Sequence, residues 1–468
     1  MHRRRVAGLA LLLTAACSGG STPVATPTAS PTPTSSAAPS ASPPASVHST
    51  PSPSANPTSS WPTYHRSTAR DGDAGAGLPS LAGPLHRAWA AELDGAVYGS
   101  PVLVGSTAVV ATENDSVYAL DVATGRRLWR RHLGTPVRRS DLPCGNIDPL
   151  GITSTPAYDE ATGSVFVVAE TRGAHHTLWA LDARTGSPRW HRSLDVASGR
   201  DRHAEQQRSA LLVTSGRVVT AFGGLAGDCG DYVGYLTSVP TTGRGGTAVY
   251  AVPTRREAGM WAAAGPAVDA SGHVLVAVGN GAATGGRWDG SDSVLALDPV
   301  TLRLVRSFHP ATWAEDNAGD LDLGSLSPVL VAGKVVVAGK RGVAYLLSPS
   351  LGLLDSLDGC AGFGGAAVRG ATAYLPCTSG LRAVTVRGSR LQWGWQASGI
   401  PGSPVLAGSA VYVLDPQAER FHVLALGTGR SLASLDVGAP ISRFASPTVA
   451  DGGRTVLLPT MRGVVAVR

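Results

Sequence analysis

The stretch that decides the fold runs from Val117 to Trp129 and reads Val-Tyr-Ala-Leu-Asp-Val-Ala-Thr-Gly-Arg-Arg-Leu-Trp. Its first half alternates apolar and small side chains, which is typical of a buried strand. We predict a turn from Asp121 to Gly125, because aspartate hydrogen-bonds its own backbone and glycine accepts a positive φ. A second strand is predicted to begin at Leu128. The stretch therefore predicts a β-hairpin.

The same hairpin pattern returns further along the chain. Residues 178–190 repeat the spacing of Ala, Asp, Thr-Gly and Trp, and end at Trp190. A degraded copy from Val249 to Trp261 keeps the Ala251-to-Trp261 interval but loses Asp and Thr-Gly. A fourth copy, residues 294–301, keeps the turn and has no Trp. Copies at a recurring interval predict a repeat fold.

Eight short apolar strands follow tight starts that resemble one another. The starts are Ser100-Pro101, Thr155-Pro156, Ser209-Ala210, Gly265-Pro266, Ser327-Pro328, Gly365-Ala366, Ser403-Pro404 and Ser446-Pro447. Most are followed by a glycine-centred turn and a second apolar strand, and often by the hairpin pattern. Four short antiparallel strands per unit and eight units predict an all-β, eight-bladed β-propeller over residues 61–468.

The two ends of this region predict how the ring closes. The last unit ends at Arg468 without a fourth strand, and an orphan strand from His86 to Leu93, containing Trp89, precedes the first unit. We expect this N-terminal strand to complete the last blade, because such closure leaves no exposed sheet edge between the chain ends.

Residues 1–16 are predicted to be a lipoprotein signal peptide. A basic start is followed by a short apolar run and then by Thr14-Ala-Ala-Cys17, which is similar to the lipobox of bacterial lipoproteins. That resemblance implies cleavage before Cys17, a lipid on its sulfur, and anchorage at the extracytoplasmic face of the cell membrane. An ordinary secretory signal is the alternative.

Residues 17–60 are predicted to be a lipid-anchored, disordered linker. From Ser18 to Ser60 the chain is almost entirely Ser, Thr, Pro and Ala, without Asp, Glu, Lys or Arg, so it cannot bury enough apolar surface to fold. The formal net charge is +6, and removal of Arg3, Arg4 and Arg5 with the signal peptide leaves +3. This small charge argues against a nucleic-acid partner.

Four cysteines remain after Cys17, and they allow three pairings in an oxidising compartment. Cys360 and Cys377 bracket a predicted hairpin that turns at Arg369-Gly370, and antiparallel pairing brings them within bridging distance. The pairing that remains is Cys144 with Cys229. Four free thiols are the alternative, and the absence of Cys-x-x-Cys argues against a zinc site.

The repeated Ala-x-Asp-x-x-Thr-Gly-x-x-x-Trp resembles the blade motif of pyrroloquinoline-quinone-type propellers. In that family the tryptophan docks one blade onto the next, which implies a docking role for Trp129, Trp190 and Trp261. The opening Trp61-Pro-Thr-Tyr-His-Arg66 is also similar to the segment before the first blade in many members. The family contains dehydrogenases that bind the quinone and calcium near the axis. It also contains propellers without a cofactor, among them the scaffold lipoprotein of the outer-membrane barrel-assembly machinery.

The acid-rich segment from Asp316 to Pro328 resembles the dehydrogenase class of this family. It resembles the lead-in to an innermost strand in quinone-dependent polyvinyl-alcohol-type dehydrogenases, and it implies a cofactor site formed by Asp316, Asn317, Asp320, Asp322 and Lys340. Oxygen ligands at short spacing suit calcium. The alternative is that Asp320 and Asp322 cap a loop by accepting hydrogen bonds from backbone amides.

The signatures that are missing favour the second class. Quinone dehydrogenases often carry two adjacent cysteines, and several carry a Cys-x-x-Cys-His haem site; this sequence has neither. We therefore expect a monomeric, non-catalytic binding or scaffold module without a cofactor. Its partner would be a cell-envelope protein or glycan, and we expect the partner site on a long insertion from Gly223 to Gly246. The alternative is a pyrroloquinoline-quinone-dependent, calcium-assisted dehydrogenase of an alcohol-type substrate.

The cysteine pairing predicts the outcome of a thiol titration. Cys360→Ser is expected to leave one new reactive thiol, at Cys377, when the protein is labelled in denaturant and digested. Labelling at Cys144 or Cys229 instead would show that the pairing is wrong.

Overall fold

A computed structural model describes residues 60–81, 83–195 and 199–468. The predicted signal peptide, Cys17 and the predicted linker, apart from Ser60, lie outside the described residues. In the part of the chain that is described, no helix is long and apolar enough to cross a membrane.

Eight antiparallel sheets form the ring, and each is a blade whose first strand lies nearest the axis. The strands of blades 1 to 4 are Val102–Val104, Thr107–Ala111, Ser116–Asp121, Arg127–His132; Ala157–Asp159, Ser164–Thr171, His175–Asp182, Pro188–Ser193; Leu212–Thr214, Arg217–Gly224, Tyr235–Pro240, Ala248–Ala251; and Ala267–Val268, Val274–Val278, Ser293–Leu297, Leu304–Phe308. The predicted all-β, eight-bladed propeller is confirmed.

Blades 5 to 8 follow the same order. Their strands are Val329–Val331, Lys334–Ala338, Val343–Leu347, Leu353–Asp358; Ala367–Arg369, Thr372–Cys377, Gly380–Arg387, Arg390–Ser398; Val405–Ala407, Ala410–Asp415, Arg420–Ala425, Ser431–Asp436; and Thr448–Ala450, Thr455–Thr460, Gly463–Val467, Arg87–Glu92. Blade 3 carries an additional short strand, Glu205–Gln206, on its second strand. One α-helix, Trp313–Ala318, and four 3₁₀ turns, Arg139–Asp141, Arg202–Ala204, Leu323–Ser325 and Asp451–Gly453, lie among the described residues.

The N-terminal strand closes the ring as the sequence predicts. Arg87–Glu92 pairs antiparallel with Gly463–Val467, and Trp89 lies opposite Ala466. The pairing continues beyond the strand, because His86 and Arg468 exchange two backbone hydrogen bonds of 2.9 and 3.1 Å. The last blade is therefore built from both ends of the propeller chain.

The stretch from Val117 to Leu120 shows why every blade depends on its neighbours. Val117 and Ala119 pack into an apolar cluster with blade 2, while Tyr118 and Leu120 pack into a cluster with blade 8. Successive side chains of a strand point to opposite faces of its sheet, so alternation sends them to different neighbours. Both faces of the blade are consequently buried.

A tryptophan on the fourth strand seats on the glycine turn of the next blade. The Trp129 indole N–H donates to the Ala183 carbonyl at 3.2 Å, and a Cβ on Gly186 would lie 2.5 Å from the ring. Trp190 donates to Thr241 and covers Gly243 in the same way. Gly186 also has a φ of 69°, so glycine is required there for both reasons.

Two further tryptophans dock in this manner, and one predicted docking residue does not. Trp89 joins blade 8 to Gly125 of blade 1, and Trp395 joins blade 6 to Gly429 of blade 7. The prediction for Trp261 is wrong, because it lies beyond the strand Ala248–Ala251, in the connection to blade 4. The turn that would receive it carries Leu302 instead of glycine, with a φ of 55°.

Two disulfides staple the connections. Cys144 pairs with Cys229 at a Cα separation of 6.1 Å, and Cys360 pairs with Cys377 at 5.0 Å. This is the pairing that the sequence favours. The first bridge ties the connection after blade 1 to a loop of blade 3, and both segments pack on a small apolar cluster around Leu225.

The segment from Trp61 to Ala74, here called the axial plug, fills the centre of the ring. Arg70 is buried and donates to the carbonyls of Leu211 and Pro266, in blades 3 and 4. The buried His65 ring contacts the Ala366 carbonyl at 3.0 Å and the Ser446 hydroxyl at 2.9 Å, in blades 6 and 8. Backbone contacts reach blades 1, 2 and 7, so the plug touches seven blades.

The docking geometry predicts a contrast between two tryptophans. Trp129→Ala should lower the free energy of unfolding by about 2 kcal/mol, because it removes the ring from Gly186 and a hydrogen bond. Trp261→Ala is the matched control and should change it by less than about 1 kcal/mol. Urea denaturation followed by fluorescence and circular dichroism checks this. An equal loss in both variants would contradict the docking role.

Candidate functional site

The candidate site lies on one face of the ring, here called the loop face. This face is formed by the turns between second and third strands and by the connections from one blade to the next. The acid-rich segment reaches it through the helix Trp313–Ala318, which precedes blade 5. Lys340 reaches it from the turn between the second and third strands of the same blade.

Lys340 lies between two of the predicted carboxylates. Its ammonium is 2.7 Å from Asp320 and 2.5 Å from Asp322, and the Asp322 side chain is almost fully buried. The other Asp322 oxygen accepts the Asn280 backbone N–H at 2.7 Å. Burial acts to lower the pKa of Lys340, but the two carboxylates outweigh it and the pKa lies above its ordinary value. The lysine is therefore a fixed cation.

The other two members of the predicted set hold loops together. Asp316 pairs with the Arg341 guanidinium and accepts from the Thr312 hydroxyl. The Asn317 amide accepts from the Gly281 N–H at 2.6 Å and donates to the Ser291 hydroxyl at 2.8 Å. Both residues thus fasten the helix to its surroundings. The structure brings Asp320, Asp322 and Lys340 together and assigns Asp316 and Asn317 to neighbouring contacts.

This arrangement does not fit calcium. A calcium ion in a protein takes six to eight oxygen ligands. Here an ammonium takes one oxygen of each nearby carboxylate, and the buried remaining oxygen is hydrogen-bonded to the backbone. Among the described residues, no three His, Cys, Asp or Glu side chains form a group suited to a metal ion. The ammonium thus engages the two carboxylates that the sequence predicts as calcium ligands.

Beside this ion pair lies a group of aromatic and cationic side chains that we call the axial cluster: Trp261, Phe363, Phe444, Arg208 and Arg443. The Trp261 ring lies 6.2 Å from that of Phe363 and 6.1 Å from that of Phe444. Arg208 lies 5.0 Å from the Phe444 ring centroid, and Arg443 lies 4.2 Å from that of Phe363. Lys340 approaches the Trp261 ring at 5.7 Å, so this site joins the ion pair to the cluster.

The sequence contains a signal for the axial cluster. Phe363 and Phe444 each stand two residues before a tight start that precedes an innermost strand, at Gly365 and Ser446, and Arg208 stands one residue before the tight start at Ser209. Since innermost strands surround the axis, the residues just before them meet above it. Reading those positions as a set would have found the cluster.

The axial channel is closed below the cluster. The space between the cluster and the plug is a cavity of about 10 Å³, lined by Tyr64, Tyr98, Arg208 and Phe444 among others. Such a volume holds about one water molecule. A ligand on the loop face is therefore held by surface side chains and does not pass through the ring.

The long insertion predicted from Gly223 to Gly246 is shorter than expected. The strand Tyr235–Pro240 within it is the third strand of blade 3. The irregular part is the loop after Gly224, which Cys229 ties to Cys144. The disulfide-linked loop around Cys144 borders the axial cluster near Ile147, so a partner site is better sought there.

Buried acids connect blades 1 to 3 beneath the loop face. Burial raises the pKa of Glu113 to about 8 and that of Asp115 to about 9. Neither Asp115 oxygen has a hydrogen-bond partner among the described residues. Glu170 lies 3.2 Å from the buried His176, and Tyr235 donates to Glu205 at 3.0 Å. Glu113 and Asp115 consequently hold protons at neutral pH.

Comparison with known proteins agrees with the repeat motif. A protein-family model described as outer membrane protein assembly factor BamB matches residues 86–227. A quinohemoprotein alcohol dehydrogenase from Comamonas testosteroni is 18% identical with a TM-score of 0.67, and the alignment covers 89% of this chain and 81% of that one. The family match covers less than half of the chain, and the structural similarity agrees with the propeller fold. A search among curated protein sequences found no match.

Solved structures that share this propeller fold have different names. A europium-containing methanol dehydrogenase is 15% identical with a TM-score of 0.66, covering 86% of this chain and 89% of that one. BamB from Moraxella catarrhalis is 16% identical with a TM-score of 0.58, covering 82% of this chain and 97% of that one. Identities this low show a shared fold, and the function must be argued from the site.

The buried acids predict a stability that falls as the pH rises. A carboxyl pKa raised by folding stabilises the folded state below its unfolded pKa, and the stabilisation is lost as the pH rises through the folded pKa. The melting temperature should therefore fall between about pH 5 and pH 9. The Glu113→Gln, Asp115→Asn double variant should flatten this dependence, whereas Asp358→Asn on the exposed rim should retain it. A double variant as pH-sensitive as the wild type would contradict the assignment.

Proposed function

We propose that the propeller is a non-catalytic binding module on the extracytoplasmic face of the cell membrane, held there by a lipid on Cys17. The observation that carries the proposal is the Lys340 ammonium between Asp320 and Asp322. Each carboxylate already gives one oxygen to this ammonium, which disfavours their use as calcium ligands or as a general base. The predicted secretory signal supports the location.

The loop face supplies a surface suited to binding. Aromatic side chains and guanidinium groups are enriched in protein interfaces, because they give large contact area and directional hydrogen bonds. The axial cluster combines both kinds of group around a closed channel. The partner class that we favour is a cell-envelope protein or glycan, bound at the axial cluster by a monomeric propeller.

Titration with pyrroloquinoline quinone tests the proposal against the alternative, a calcium-assisted dehydrogenase. We expect no calcium-dependent binding of the quinone by the wild-type protein in calorimetry and no change in the quinone absorbance. Folding is checked by circular dichroism in the same buffer. Calcium is supplied in excess and then removed with chelator, so that any binding that does not need the metal is recognised.

Three variants make the outcome specific. Saturable, calcium-dependent binding that Asp320→Ala and Asp322→Ala both abolish would overturn the proposal and establish a quinone site. Asp358→Ala is the control, because its exposed carboxyl lies on the outer strand of the same blade, whereas the ion pairs of Lys340 are with Asp320 and Asp322.

A further inference from the structure

A pocket opens on the loop face where blade 8 meets the stapled loop that follows blade 1. It has a volume of about 250 Å³ and lies between Ile147 of the loop and Ile441 of the connection before blade 8. Arg208, Arg443, Phe444 and Met461 complete the part of the lining that matters here. Asp320 and Asp322 do not line this pocket.

The two arginines of the pocket have no carboxylate partner in the described part of the chain. Arg208 donates to the Gln206 side-chain oxygen at 3.0 Å and stacks on Phe444, and Arg443 stacks on Phe363. Neither guanidinium forms an ion pair with a described residue, whereas Arg341, which also lies on the loop face, pairs with Asp316. The two guanidinium groups thus keep hydrogen-bond donors free.

The electrostatic surroundings leave this charge uncompensated. Burial lowers the pKa of Arg208, and burial also lowers that of Arg443, which shows that both charges are partly removed from water. Glu113 is the carboxyl group that acts most strongly on Arg208, but its pKa of about 8 keeps it protonated at neutral pH. A partly desolvated cation without a counter-charge favours an anion as its partner.

The side chains that line the pocket indicate which class of anion would bind there. The planar guanidinium fork matches a carboxylate with two parallel hydrogen bonds. Ile147, Ile441 and Met461 are apolar walls, so the group attached to the carboxylate should be a hydrocarbon. We propose that this pocket binds a carboxylate attached to an apolar group, as in an acidic residue flanked by leucines in an extended peptide.

This inference rests on the proposed function, since it names the chemistry that the binding module recognises. A free carboxylic acid and a peptide side chain present the same carboxylate, and the pocket volume of about 250 Å³ accommodates one or two side chains rather than a folded domain. The test therefore includes both sources.

Calorimetric titration of the full propeller tests the pocket with defined probes. The probes are acetyl-Leu-Glu-Leu-amide, its neutral match acetyl-Leu-Gln-Leu-amide, isocaproate and inorganic phosphate, all in chelator and low salt. We expect saturable binding of the acidic peptide that weakens at least about tenfold in Arg443→Gln and in Arg208→Gln. Arg430→Gln is the matched control, because this exposed arginine lies in a turn on the opposite face; its affinity should stay within about twofold of wild type.

Each outcome has a defined meaning. Binding of isocaproate as tight as that of the peptide identifies the carboxylate, and not the peptide backbone, as the recognised group. Absence of acidic-peptide binding, equal binding of the neutral peptide or of phosphate, or equal losses in Arg443→Gln and Arg430→Gln would overturn the inference. The Arg443 side chain is only partly buried, so its variant remains informative if Arg208→Gln fails to fold. Because no quinone or calcium is present, this result is independent of the quinone titration.

Discussion

The ring depends on a contact between a tryptophan of one blade and a glycine, which has no side chain, in the next blade. At four blade junctions, an indole lies where the Cβ of any residue other than glycine would stand. The same glycines adopt a positive φ that closes the turn, as at Gly125 and Gly186. One residue type thus satisfies a local backbone constraint and an inter-blade packing constraint together. Trp89 applies this contact at the junction of blades 8 and 1, from the N-terminal strand that blade 8 holds by backbone pairing with Gly463–Val467.

The features that recur from blade to blade could be predicted from the sequence. The hairpin, the number of blades and the closing strand were predictable, because each follows from short-range spacing and alternation. Trp261 was assigned wrongly because its docking was predicted from the tryptophan alone, without the turn that would receive it. The receiving turn of blade 4 carries Leu302 where the turns that receive a docked tryptophan carry glycine, and the leucine side chain excludes an indole. Comparing each tryptophan with the corresponding turn of the next blade would have shown this difference.

The candidate site was only partly predictable, because its parts come from distant positions. The acid-rich segment was located correctly, yet Lys340 changes the meaning of Asp320 and Asp322 from metal ligands to an ion pair. The axial cluster joins residues from blade connections more than 200 positions apart, such as Arg208 and Phe444. Spacing along the chain carries little information about such contacts until the blade order is fixed.

The axial plug has a consequence for the order in which the molecule is assembled. The contact between His65 and Ser446 spans 381 residues, and the plug touches blades from nearly the whole chain. Contacts of this range are slow to form, because a long loop must close before they contribute. The part of the propeller made first therefore finds its final place last. Until the C-terminal blade exists, the closing strand has no partner and His65 lacks its contact with Ser446, so the ring stays open during synthesis.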